Sequence, residues 1–180
     1  MGKKIFALCF LFILVANVCF AEQYGVPIGG MGAERLYNKI VEAGVNNGFS
    51  RNEFTSLRIG SLGGAYFFEF PRSNPSVTNS VMLSINDAGY VIGILIDGNN
   101  INEENSNATF ATTVLCLQAI GLNDDEMRYV FSNFKKNNAD INPFDELYTS
   151  EVYVKKLSWA VTVMHDVFTN AHTQTLIICM

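Results

Sequence analysis

The chain has 180 residues, 49% of them hydrophobic, and a formal net charge of −5. Binding to nucleic acid or to an anionic membrane surface requires clustered Lys and Arg side chains, and this acidic chain has no such cluster. We therefore predict no nucleic-acid partner and, once the leader described next is removed, no membrane association.

The first element is an apolar leader. Lys3 and Lys4 precede an uninterrupted apolar segment over residues 5–16, and residues 19–21 place small side chains at the −3 and −1 positions of a signal-peptidase site. We predict that residues 1–21 are a cleaved signal peptide. The protein is then exported, to the periplasm or outside the cell.

A retained membrane anchor and a lipid-modified cysteine are the alternatives to this cleavage. The run from Ile5 to Ala21 has 17 residues and is interrupted by Asn17, whereas a spanning helix needs about 20. Acylation of Cys19 needs a small residue before it, and Val18 occupies that position. Both features favour cleavage.

The remaining residues, 22–180, suit a single domain. Removing 21 residues from 180 leaves 159, and losing the two leader lysines moves the net charge from −5 to −7. A chain of this size buries about 68–70% of its unfolded surface, which is enough for a core without disulfide or metal staples.

The domain begins with an amphipathic helix in residues 33–48. Leu36, Ile40 and Val41 share one face, and charged or amide side chains share the other. We predict that the helix ends either at Gly44 or at the Asn-Asn-Gly turn that follows.

A change of period from helical spacing to alternation then indicates strands. Alternating or continuous apolar residues occupy 65–70, 80–85 and 90–96, and Gly89 supplies the positive φ of a hairpin turn between the last two. These segments predict a three-stranded antiparallel meander.

Two helices are predicted after a polar loop at 97–107. The first carries one apolar stripe and is expected to be buried on most of its circumference; the stripe consists of Phe110, Val114, Leu117 and Ile120. Gly121 suits the end of that helix, and Asn123 with Glu126 forms a capping box for the next. The pair is expected to form an antiparallel hairpin.

Alternation returns near the end of the chain, around Val152 and Val154 and again in 159–164 and 174–180. Separate runs of strands and helices are typical of α+β proteins with antiparallel sheets. The sequence therefore predicts an antiparallel sheet of five to six strands, with the N-terminal helix and the central helix hairpin packed on it.

Side chains suited to catalysis are few. His165 and His172 flank the last predicted turn, where they could face each other and, with a loop carboxylate, serve a small hydrolase or a metal-dependent enzyme. The alternative is that both are solvated turn residues. No catalytic residue, metal or cofactor is assigned from the sequence.

Two cysteines remain after leader cleavage, Cys116 and Cys179. In an exported protein such a pair can form a disulfide that closes a long loop. Both lie in apolar segments, where a free cysteine packs as a small hydrophobic residue. Either a disulfide or two buried thiols is consistent with the sequence.

The sheet offers the remaining functional hypothesis. If helices cover only one face, Phe67, Val91 and Leu95 form an apolar patch on the other, and such patches mark binding sites. The alternative is that the first helix and the termini cover that face. We favour a non-enzymatic exported domain that binds a protein or a small apolar ligand, and the oligomeric state stays open.

Overall fold

The computed structural model describes residues 27–60, 64–99, 102–138, 147–155, 160–168 and 172–179. The predicted signal peptide lies outside these ranges. The helices are α1 (Ala33–Asn46), α2 (Glu103–Ala119) and α3 (Asp124–Asn138). The strands are β1 (Arg58–Ile59), β2 (Ala65–Phe70), β3 (Asn79–Ile85), β4 (Val91–Asn99), β5 (Leu147–Lys155), β6 (Ala160–Phe168) and β7 (His172–Cys179).

The strands form one antiparallel sheet in the order β1-β2-β3-β4-β7-β6-β5. The α+β class and the meander of β2, β3 and β4 are confirmed. The predicted count of five to six strands is wrong, because the described residues form a sheet of seven strands. The additional edge strand, β1, has two residues and is too short to show an alternating pattern.

All three helices lie on one face of the sheet. Each helix contacts a residue of that face: Tyr37 with Phe68 at 5.2 Å between ring centroids, Asn79 with Thr112 at 2.9 Å, and Phe134 with His165 at 5.5 Å between centroids. The core lies between the helices and this face. None of the helices in the described ranges has the length and apolar character needed to cross a bilayer.

Local sequence signals fix two of the helix ends. Helix α1 continues to Asn46 and ends in the Asn-Asn-Gly turn, where Gly48 has a φ of +89° and its N–H bonds to the Val45 carbonyl at 3.0 Å. At the start of α3, the Asn123 N–H bonds to the Glu126 carboxylate at 2.8 Å and the Glu126 N–H bonds to the Asn123 side chain at 3.0 Å. The predicted capping box is therefore confirmed.

The predicted apolar stripe of α2 is buried only in part, since Leu117 has 0% and Ile120 5% exposure and both belong to the core. Phe110 is 50% exposed, whereas Thr109, Thr112 and Thr113 are buried. Threonine is tolerated there because its hydroxyl can bond within the helix: Thr112 and Thr113 donate to the carbonyls four residues earlier at 2.8 and 2.9 Å. Burial along α2 thus follows hydrogen-bond satisfaction as well as hydrophobicity.

Candidate functional site

The sheet face opposite the helices carries a row of apolar side chains. One residue comes from each of five adjacent strands, β2, β3, β4, β7 and β6, and each is directly opposite the next. We call them the open-face row: Phe67, Met82, Leu95, Leu176 and Met164. All five are half-buried.

The next row along the same strands faces the helices, and its side chains are more deeply buried than those of the open-face row. Phe68, Val81 and Ile96 there are fully buried, with 0% exposure. Because side chains alternate between the faces of a strand, each residue of the open-face row points away from this core. The described helices do not cover the open-face row, since they lie on the opposite side of the sheet.

The open-face row has a definite size. It crosses four gaps between neighbouring strands, and strands lie about 4.8 Å apart, so the row is about 19 Å long. It runs across the strands and forms a narrow stripe. One end is next to Arg58, which is opposite Phe67 on β1.

The two borders of the open-face row differ in chemistry. One border contains Glu69 and Asp97, and Glu69 is held by Arg58 at 3.1 Å. The other border is uncharged. It includes Gly93 and Ile178, and Ile178 is only 5% exposed. The open-face row is thus an apolar stripe with two carboxylates along one side, of which Glu69 is paired with Arg58 and Asp97 has its Oδ1 buried.

Of the three residues of the predicted patch, Phe67 and Leu95 lie in the open-face row. The expectation of an exposed side chain is wrong for Val91, which has 0% exposure and belongs to the core on the helix side. The register of β3 and β4 shifts between Ser84 and Ile85, so Val91 is opposite Ile85. This irregularity moves Val91 to the other face, and simple alternation could not show it.

The alternative that the first helix covers the open face is also wrong. Helix α1 lies on the other side of the sheet, with Tyr37 packed edge-on against Phe68. Its side chains Leu36 and Ile40 are buried in the same core. The N-terminal residues before 27 lie outside the described ranges, so their part of that alternative stays a prediction.

The hairpin of β6 and β7 places positions 165 and 172 on opposite faces of the sheet. His165 is opposite Thr175, and its Nδ1 is 2.8 Å from the Thr175 hydroxyl oxygen, beneath Phe134 of α3. Position 172 on β7 is three residues from Thr175, and positions an odd number apart belong to opposite faces. This register argues against one catalytic or metal site built on His165 and His172.

Metal ligands do not cluster elsewhere in the described ranges, where no group of three His, Cys, Asp or Glu side chains is close enough to hold an ion. A shallow cleft of about 350 Å³ lies between α1 and α2, lined by Lys39, Glu42, Asn46, Asn47 and Gln118 among others. The cleft is open, and the Asn47 amide in its wall already donates to Gln118 at 2.9 Å.

Cys116 is in the core and has 0% exposure and a free thiol. Burial raises the pKa of Cys116 to about 12, so the thiol carries almost no reactive thiolate at neutral pH. This environment does not suit a nucleophile. Of the two alternatives for the cysteine pair, the free thiol of Cys116 matches the unpaired one, and the side chain of Cys179 lies outside the described residues.

We expect the Cys116 thiol to resist alkylation by iodoacetamide in the native protein and to react fully in denaturant. A Cys179→Ser variant from which the predicted signal peptide has been removed has Cys116 as its only cysteine, and intact mass reports the modification. Rapid alkylation under native conditions would contradict the buried, protonated thiol.

Comparison with family models, curated proteins and solved structures found no match to this chain. The functional conclusion therefore depends on the surface and chemistry of the molecule itself.

Proposed function

We propose that this protein is an exported, non-enzymatic domain that binds an apolar partner through the open-face row. The observation that carries the proposal is the continuous line of half-buried apolar side chains across five adjacent strands, on the side opposite the described helices. Two of its members, Phe67 and Leu95, were also singled out by the sequence.

The composition of the row favours a protein partner. Met82 and Met164 are unbranched and polarizable, so they adapt to the shape of an incoming surface. The row is a long stripe, and small-molecule sites are usually concave pockets. A stripe of this shape suits an elongated apolar surface better than a compact ligand.

An amphipathic helix has the matching dimensions. At 1.5 Å rise per residue, about 13 helical residues cover the length of about 19 Å. The apolar face of such a helix would lie along the open-face row. Basic side chains on one edge of the helix would then face the border with Glu69 and Asp97, which gives the complex one preferred orientation.

A synthetic helical peptide tests this proposal directly. The peptide carries leucines on one face and lysines along one edge of that face, and fluorescence anisotropy measures its binding to the processed protein. We expect Leu95→Glu to weaken binding at least about tenfold, because losing one buried leucine contact costs about 1.5–3 kcal/mol.

Val45→Glu is the matched control, since Val45 is 47% exposed on α1 and lies on the helix side of the molecule. We expect it to leave peptide affinity unchanged. A peptide with glutamates in place of the lysines should bind more weakly. The proposal fails if the native protein does not bind the lysine peptide or if Leu95→Glu and Val45→Glu have equal effects.

A further inference from the structure

The outer edge of strand β5 is a second surface to explain. β5 has nine residues and is at the end of the sheet, paired with β6 on its inner side. Val152 and Val154 are buried, whereas Glu151, Tyr153 and Lys155 alternate with them and are exposed. An edge strand of this length presents backbone donors and acceptors that can pair with another strand.

The two charges on this strand have no ion-pair partner among the described residues, where the ion pairs are Arg58–Glu69 and Arg128–Asp125. Glu151 and Lys155 share one face of β5. Because they are four residues apart along a strand, about 13 Å separates them, and they cannot bond to each other.

We propose that two copies of this chain associate through their β5 strands, antiparallel, about a two-fold axis at Tyr153. In that register Glu151 of each copy is opposite Lys155 of the other, so two cross-strand ion pairs form at once. The buried residues Val152 and Val154 are also opposite each other, and the two Tyr153 side chains meet at the axis. Opposite charges and aromatic pairs in these positions stabilise antiparallel pairing.

Charge complementarity selects this register over its neighbours. An axis at Glu151 places two carboxylates opposite each other, and an axis at Lys155 does the same with two ammonium groups. An axis at Val152 leaves Glu151 opposite Tyr153, without an ion pair. Only the axis at Tyr153 satisfies both charges on the exposed face of the described strand.

The pairing goes beyond the proposed function and does not depend on it. A two-fold axis perpendicular to the sheet keeps the open faces of both copies on the same side. The two open-face rows would then lie on one continuous sheet surface. Charges on an edge strand can also serve to prevent pairing, and the following experiments separate that role from the one proposed.

A charge-swap series tests the association. The full-length sequence is expressed, and the processed protein is sized by light scattering over a concentration series. We expect a native dimer, and a halved mass for both Glu151→Lys and Lys155→Glu, because like charges then meet. The double variant Glu151→Lys with Lys155→Glu should restore the dimer.

A cysteine pair tests the register. In a Cys179→Ser background, Tyr153→Cys should form an intermolecular disulfide under oxidation, because directly opposite residues in antiparallel strands lie about 4.5–5.5 Å apart, within disulfide range. Glu151→Cys is the control and should not cross-link. A monomeric native protein, a dimer insensitive to Lys155→Glu, or cross-linking through Glu151→Cys instead of Tyr153→Cys would each overturn the proposal.

Discussion

Replacing Gly98 by alanine is expected to lower the free energy of unfolding by about 3 kcal/mol or more. A Cβ atom at this position would overlap the Asn79 side-chain oxygen and would lie 2.7 Å from the Thr109 hydroxyl oxygen. Neither neighbour is a free surface side chain, since Asn79 is 1% exposed and Thr109 is 5% exposed. The added methyl group therefore has to displace a buried polar contact.

The contact belongs to a hydrogen-bond network that joins β3 and α2. The Thr109 hydroxyl donates to the Asn79 side-chain oxygen at 3.0 Å, and the Asn79 amide donates to Thr112 at 2.9 Å. Moving Asn79 leaves buried polar atoms without partners, and each such atom costs about 1–3 kcal/mol. Overpacking costs about 1–3 kcal/mol more.

Gly93→Ala is the matched control because Gly93 is buried on the same strand, β4. A Cβ atom there would meet the Ile178 side chain at 3.6 Å, an ordinary contact distance. We expect a change of less than about 1 kcal/mol. Urea unfolding, monitored by circular dichroism, measures the free energy of unfolding of both variants. Similar losses of stability for the two would contradict the buried network.

The features that could be predicted from the sequence are those set by residues close together in the chain. The capping box of Asn123 and Glu126, the turn at Gly48 and the meander each depend on residues close together in the chain, so propensity and spacing predict them. The Asn79 network is different, because its partners lie 30 and 33 residues further along. An asparagine in an alternating segment gives no sign that it is buried.

The open-face row shows the same limit. Alternation within β2 and β4 placed Phe67 and Leu95 on one side, but their neighbours depend on which strands are adjacent. The C-terminal strand β7 pairs with β4 in the middle of the sheet, and this insertion places Leu176 opposite Leu95. Such long-range pairing is decided by packing of the whole sheet, so no short segment encodes it.

Phe70→Ala is expected to have the second large effect, a loss of about 3–5 kcal/mol of stability. Phe70 has 0% exposure and lies between two other rings, stacked on Phe54 at 4.5 Å and edge-on to Phe49 at 5.0 Å. Truncation removes both ring contacts and leaves a cavity that this packed cluster can fill only in part. Urea unfolding measures the loss.

Phe110→Ala provides the comparison, because Phe110 also contacts a ring, Phe131 at 4.4 Å, but is 50% exposed. We expect a loss of about 1 kcal/mol, since half of its surface is already in water. Equal losses for the two variants would contradict the position of the core.

Phe70 faces the helices, so under conditions where Phe70→Ala is still folded, its affinity for the helical peptide should match that of the native protein. A stability loss without an affinity loss would separate the core face of the sheet from its binding face, whereas a parallel loss of both would place the binding site within the core side of the molecule.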